Sequence, residues 1–139
     1  MVKTTIEMGR QANSPVLSKP GLALVLPNNP YRMRGGGKPM VYACLREPKQ
    51  NTGPDQRRLL DGLFVHTVEV HTQTPLSFHL FAKKRVFDDD ITDFGDDWCA
   101  WFHFDLAALL LVAAPQYGFM LHASSRQFVS NALYVRFER

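Results

Sequence analysis

The sequence predicts an all-β fold, an antiparallel β-sandwich of the immunoglobulin-like or jelly-roll-like kind with about seven or eight strands. Short apolar or alternating segments recur between turn-forming residues, which is the pattern of paired strands. No strand–helix–strand alternation indicates a parallel sheet, and a single short segment favours a helix. The chain of 139 residues suits one domain, residues 1–139, and is long enough to bury a core without a metal or a disulfide.

The first half contains three strand candidates, separated by polar segments. The candidates are residues 2–8, which suit an edge strand, the apolar run 21–26 between two prolines, and residues 40–46. Residues 27–39 and 47–58 are dense in turn formers, and we expect both to be mobile loops.

The second half carries the clearest period-two alternation. Residues 63–71 alternate between two faces, and the face that we expect to be buried carries Phe64, His66, Val68 and Val70. Leucine- and alanine-rich residues before Pro115 favour a helical turn or a crossover, over residues 106–114. The remaining strand candidates are residues 76–83, 98–105, 117–124 and 132–137.

One local motif supports the sandwich. Residues 111–117, Leu-Val-Ala-Ala-Pro-Gln-Tyr, place a leucine, a proline and a tyrosine at the opening of a strand. This resembles the tyrosine corner of immunoglobulin-like sandwiches, in which the phenol hydroxyl bonds to upstream backbone. The resemblance implies that residues 117–124 and 132–137 are the last two strands and pair antiparallel. Gln116 stands where the motif usually has glycine.

Composition excludes a disordered chain and a helical membrane protein. Hydrophobic residues make up 45% of the chain and charged residues 21%, the proportions of a folded globular domain. The longest apolar stretch, residues 106–115, is too short to span a bilayer, and residues 1–19 contain no apolar run of the signal-peptide kind. We therefore expect a soluble cytoplasmic protein, or a secreted one if a leader has been removed.

Charge is divided between the two halves of the chain. The net charge of +3 combines +7 over residues 1–58 with −4 over residues 59–139. Opposite charges of this kind can hold two parts of a sandwich together or bring copies of the chain together head to tail. Nucleic-acid binding is not expected, because the basic residues near Tyr31 are offset by acidic clustering elsewhere.

An acidic segment, residues 88–97, is the first candidate metal site. Packed carboxylates repel unless a cation neutralises them or water solvates them, and hard oxygen ligands suit Ca²⁺. The competing interpretation is a solvated connection that guards a sheet edge against pairing. The candidate calcium ligands are Asp88, Asp90, Asp93, Asp96 and Asp97.

Other reactive side chains point only weakly to chemistry. His79, His103 and His122 lie in three strand candidates and would form a transition-metal site only if the strands aligned them. No nucleophile elbow surrounds Ser124, Ser125 or Cys99, so we expect no enzyme, with a metal-dependent activity at these three histidines as the alternative. The two cysteines, Cys44 and Cys99, are expected to be buried free thiols, with an inter-sheet disulfide as the alternative.

Together these features predict a non-enzymatic structural module that self-associates, with no cofactor. The strands of the second half are apolar on both faces, so one face must be covered by other segments or by another subunit. Under this hypothesis the acidic segment 88–97 sets the register against basic residues of a second copy. The alternative is a lectin-like domain that binds carbohydrate or another ligand, with Ca²⁺ in that segment. The expected partner-binding residues are Phe81, Trp98 and Trp101 as anchors, with Arg32, Arg34, Lys38 and Arg57 as cations.

Overall fold

The computed structural model describes residues 6–27, 31–32, 38–110, 118–126 and 128–138, with backbone alone for Tyr31, Arg32 and Glu138. Within these residues the fold is the predicted all-β sandwich of two sheets. Its strands are β1 Ile6–Met8, β2 Gly21–Val25, β3 Tyr31–Arg32, β4 Met40–Pro48, β5 Leu63–Glu69, β6 Pro75–His79, β7 Ile91–Phe94, β8 Asp97–Asp105, β9 Gly118–Ser125, β10 Phe128–Val129 and β11 Leu133–Glu138.

The first sheet has the order β1-β8-β4-β2, and its centre is the long pair of β4 and β8. Strands β1 and β7 share one edge of β8, because β1 pairs with residues 102–104 and β7 with residues 97–100. The second sheet has the order β3-β11-β9-β5-β6, and β10 pairs with the end of β9. All of these pairs are antiparallel except β3 with β11, which is parallel.

The core lies between the two sheets. Strand β8 contributes Phe102 and Phe104 from the first sheet, and Leu121 and Phe137 come from β9 and β11 of the second. Phe81, which follows β6, packs edge-on against Phe102 with ring centroids 5.1 Å apart. Burial of these large apolar side chains is the main source of stability for a domain of this size.

The strand pattern of the sequence locates most of the observed strands. β2, β4, β5, β6, β8, β9 and β11 each overlap a predicted segment, although several of them begin or end outside it, and β9 and β11 pair antiparallel as predicted. The described residues contain eleven strands rather than seven or eight, because the short strands β3, β7 and β10 carry no periodic pattern of their own. A helix, α1 Leu106–Leu110, forms where a helical turn was expected.

Several predicted features fall partly or wholly outside the described residues. These are the tyrosine-corner motif 111–117, residues 2–5 of the first strand candidate, and most of the loop 27–39. The segment 47–58 is described, and it holds the end of β4 and a short 3-10 helix at Lys49–Asn51. A second 3-10 helix, Gln56–Leu60, follows and buries its two leucines in the core.

Truncating the central aromatic residue of the core tests this packing. Phe102→Ala removes a fully buried ring, and we expect the free energy of unfolding to fall by about 3–5 kcal/mol. Phe87, which is exposed, provides the matched control, and Phe87→Ala should change that free energy by less than about 1 kcal/mol. Urea denaturation followed by circular dichroism measures both, and equal losses for the two variants would contradict the assignment of the core.

Candidate functional site

The outer face of the second sheet carries the residues of β5 that the sequence predicts to be buried. Phe64, His66 and Val68 point outward from β5, whereas Thr67 and Glu69 are buried on the inner side together with its leucine and valine. The prediction that Phe64, His66, Val68 and Val70 face the core is therefore wrong. Both alternate sets of residues in β5 contain apolar side chains. The neighbouring strand, rather than β5 itself, therefore determines which set points into the core.

Register with β9 explains the choice of face. Strand β9 buries Phe119, Leu121 and Ala123, and the pairing sets Glu69, Thr67 and Val65 directly opposite these three residues. Residues opposite one another in an antiparallel pair point to the same side of the sheet. The inward side of β5 is thus fixed by the inward side of β9, and the remaining apolar residues of β5 face outward.

Exposed or half-buried apolar side chains lie on the outer side of the second sheet across three strands. We call this surface the outer apolar face, and it consists of Phe64, Val68, Val70, Met120 and Tyr134. Phe64 is 37% exposed, Val70 40%, Met120 42% and Tyr134 49%. Met120 is opposite Val68 on one side and Tyr134 on the other, so it lies at the centre of the face.

Tyr134 is able to lie across the sheet because its neighbour on β9 is Gly118. A Cβ atom at Gly118 would come within 2.8 Å of the Tyr134 hydroxyl oxygen and within 3.3 Å of two ring carbons. Such distances are shorter than ordinary van der Waals contact, so any other residue would displace the ring. The glycine therefore lets an aromatic ring widen the outer apolar face.

A hydrogen-bonded histidine, His66, lies between Phe64 and the rest of this face. The ring nitrogens of His66 lie 2.8 Å from the Ser77 hydroxyl on β6 and 2.8 Å from the Ser124 hydroxyl on β9. His122 stacks on His66 with ring centroids 4.8 Å apart. Burial lowers the pKa of His66, and the neighbouring His122 lowers it further. Since an imidazole ordinarily titrates near about 6.5, His66 is neutral at pH 7.

Sequence reasoning missed this arrangement. It placed His66 in the core, and it considered Ser124 only as a nucleophile without a supporting motif. The available signal was that Met120, His122 and Ser124 alternate with the apolar set of β9 and therefore share its opposite face. What the sequence lacks is the order of the strands, which brings the serines of β6 and β9 to either side of the histidine of β5.

Two of the three predicted anchors are buried within the single chain. Phe81 is 7% exposed because it packs on Phe102, and Trp101 is 6% exposed. The indole N–H of Trp101 donates to the Pro15 carbonyl at 2.9 Å. Trp98 is half-buried, with the Lys49 ammonium 4.4 Å from its ring centroid. The rings of Phe81 and Trp101 therefore do not offer an exposed face to a partner or to a sugar, contrary to the prediction.

Opposite charges meet inside the chain. Arg46 binds Asp97 at 2.8 Å, Lys49 binds Asp93 at 2.6 Å, and Arg57 lies 3.6 Å from Asp88. Three aspartates of the acidic segment are thus paired with basic residues of the first half of the same chain, rather than being held for a second copy as predicted. The Lys49 ammonium lowers the pKa of Asp93 through its hydrogen bond.

Of the other predicted cations, Lys38 has a described side chain, whereas Arg32 and Arg34 do not. Lys38 is exposed, as a partner-binding cation would need to be. The side chains of Arg32 and Arg34 lie outside the described residues, so their predicted roles stay predictions.

The candidate metal ligands do not converge. Asp90 accepts from the Phe87 backbone, Asp96 lines a shallow cleft, and Asp88, Asp93 and Asp97 contact the three cations already named. His103 lies on the outer face of the first sheet beside Glu7, at 3.1 Å, whereas His79 and His122 lie on the outer face of the second. Within the part of the chain that the structure describes, no group of three or more His, Cys, Asp or Glu residues is placed to hold a metal ion.

Comparison of the chain with protein-family models, with curated proteins and with solved structures found no match. Among the described residues, no helix has the length and the apolar character that crossing a membrane would require.

Removing the carboxylate of the more buried ion pair tests how much these charges stabilise the fold. Asp97→Asn leaves Arg46 largely buried with a weaker partner, and we expect the free energy of unfolding to fall by about 1–3 kcal/mol. Asp93→Asn is the matched control, since Asp93 is mostly exposed and its ion pair is screened by water, and it should have a much smaller effect. Thermal or urea denaturation measures both. The same loss in each variant would contradict an enclosed Arg46–Asp97 pair.

Proposed function

We propose that this chain is a non-enzymatic β-sandwich module that self-associates through the outer apolar face of its second sheet. The observation that carries the proposal is the orientation of β5. That strand exposes Phe64 and Val70 while it buries Thr67 and Glu69 on its inner side. The buried Thr67 hydroxyl and one oxygen of Glu69 have no hydrogen-bond partner. A strand that leaves its more apolar set in water gains stability when that set is covered.

The composition of the face suits a protein interface. The exposed side chains are aromatic, aliphatic and methionine, the types that are enriched at the centre of interfaces, and they surround a polar row at His66 and His122. Methionine at the centre adapts its shape to a partner surface. Burial of such side chains contributes about 25 cal/mol for each Å² removed from water.

Charge on the face favours a second copy over a charged partner. Among the described side chains that point outward from β5, β6, β9 and β11, Arg136 alone carries a full charge at pH 7, and no carboxylate is present. A face with almost no charge meets its own copy without repulsion and offers little to a strongly charged molecule. A two-fold axis through the face would place the same residues on both sides, as in most homodimers.

Mass measurement across a range of concentrations tests self-association. We expect dimers that dissociate on dilution in sedimentation equilibrium, and no weakening at high salt, because the acidic segment already pairs within its own chain. Met120→Lys places two ammonium groups at the centre of the interface and should raise the dissociation constant by at least about tenfold.

Val16→Lys is the control for this measurement. Val16 is 59% exposed but lies beyond the first sheet, on the opposite side of the sandwich, so this variant should associate like the unchanged chain. A monomer at every concentration would overturn the proposal. Weakening by Val16→Lys with no effect of Met120→Lys would place the interface elsewhere.

The same face predicts a dependence of association on pH. The pKa of His66 in the folded chain lies below the ordinary value of about 6.5, so the folded state favours the neutral ring, and that preference is lost as the pH falls through the folded pKa. Proton uptake beside His122 in a covered face is unfavourable, so we expect the dissociation constant to rise at least about tenfold between pH 7.5 and pH 5. Sedimentation at each pH measures this, with circular dichroism to verify folding.

Two variants test whether His66 causes that pH dependence. His66→Gln keeps hydrogen-bonding groups near both serines and should flatten the profile, whereas His103→Gln on the first sheet should leave it unchanged. His79 and His122 also point outward on this face, and histidine as a residue type changes charge near neutral pH, so a smaller residual dependence is expected. The other ionisable side chains described on this face are those of Tyr134 and Arg136. An unchanged profile in His66→Gln would refute the role of this ring.

A further inference from the structure

The two cysteines of the chain meet in the first sheet. Cys44 on β4 and Cys99 on β8 are free, fully buried, and have their Sγ atoms 3.3 Å apart. Cys44 is opposite Trp101 and Cys99 is opposite Arg46, so the thiols are diagonal neighbours on the outer side of one sheet. They are not on different sheets, as an inter-sheet disulfide would require. A bond between the sulfur atoms forms at about 2.05 Å, so closure needs a movement of about 1.2 Å.

A segment of the N-terminal region covers this pair. We call residues 10–17 the strap, because it crosses the outer face of the first sheet. Leu17 packs against the cluster that Cys44, Cys99 and Trp101 form. The strap is tied down at its backbone, where the Pro15 carbonyl accepts from the Trp101 indole and the Leu17 carbonyl accepts from the Arg46 guanidinium, each at 2.9 Å. The thiols therefore lie directly beneath a few side chains of one short segment, and not in the core between the sheets.

The surroundings make the two thiols unequal. Hydrogen bonding from Cys99 lowers the pKa of Cys44, and a backbone hydrogen bond from Leu17 and the charges of Arg10 and Arg46 lower it further, against the effect of burial. The same sulfur contact raises the pKa of Cys99, and burial raises it further. Arg10 also lies over the ring of Trp101, 5.2 Å from its centroid, which keeps this cation at the site. The pair thus consists of a thiolate-forming Cys44 and a proton-holding Cys99.

We propose that Cys44 and Cys99 form a redox-active pair that hydroperoxides oxidise to an intrachain disulfide. The Cys44 thiolate attacks the terminal oxygen of the hydroperoxide, which breaks the O–O bond and gives Cys44 sulfenic acid. The hydroxide or alkoxide that leaves takes up the proton that Cys44 released on forming the thiolate, and departs as water or an alcohol. The Cys99 sulfur then attacks the Cys44 sulfur, the S–O bond breaks, and the Cys99 proton leaves with hydroxide as water. Two electrons pass from the two sulfurs to the peroxide in the complete reaction.

The strap controls access to the pair. We expect a hydroperoxide to reach Cys44 when the backbone of the strap lifts and carries Leu17 away from the cysteine cluster, a motion that would break the hydrogen bond between the Leu17 carbonyl and Arg46. Loosening the strap should therefore speed oxidation without changing either thiol. This site lies on the opposite side of the sandwich from the outer apolar face, so the inference does not depend on self-association.

Mass spectrometry of the folded protein treated with hydrogen peroxide tests the inference. We expect loss of two hydrogen atoms, loss of both free thiols, and a peptide that links Cys44 to Cys99, all reversed by dithiothreitol. Cys99→Ser should stop at a Cys44 sulfenic acid that dimedone traps. Cys44→Ser should react at least about tenfold more slowly, because Cys99 is left without the contacts that favour a thiolate.

Two strap variants separate access from reactivity. Leu17→Ala, which uncovers the thiols, should speed oxidation several-fold, whereas Val16→Ala should not, since the Val16 side chain is exposed. Circular dichroism tests whether each variant is folded. If a cysteine variant does not fold, disulfide formation in the unchanged chain still tests the proposal. Overoxidation of Cys44 without a disulfide, equal rates for the two cysteine variants, or unreacted thiols in the folded chain would each overturn the proposal.

Discussion

The register between β5 and β9 is the constraint on which the exposed surfaces of this protein depend. Once Phe119, Leu121 and Ala123 of β9 face the core, their partners on β5 must face it too. This pairing buries the side chains of Thr67 and Glu69 inside the sandwich and leaves those of Phe64 and Val70 exposed. A shift of one residue would exchange these sets, but it would also move the buried residues of the neighbouring strand out of line.

The fold could be predicted from the sequence because each long strand is an apolar or alternating segment between turn residues. Short strands could not be predicted in this way. β7 is Ile-Thr-Asp-Phe within a run of aspartates, and it is a strand only because the edge of β8 offers backbone partners to it. The same reason accounts for β10, which is two residues long and takes its partner from β9.

The candidate site was less accessible to sequence reasoning, because its parts come together through strand order. Nothing in the separation of Cys44 and Cys99 along the chain shows that β4 and β8 are neighbours, or that Leu17 covers both thiols. Excess apolar character in the second half was recognised correctly. It was assigned to Phe81 and Trp101, which the chain itself covers: Phe81 packs on Phe102, and Trp101 lies against the strap.

The strap has a consequence for the size of any assembly. It lies against the outside of the first sheet at Cys44, Cys99 and Trp101, so in the proposed self-association the outer apolar face of the second sheet is the surface that meets a copy. Molecules that associate through one surface form a dimer and go no further, whereas molecules that associate through two separate surfaces can stack into fibres of no fixed length. The segment that shields the thiols would in this way also act as a cap on growth.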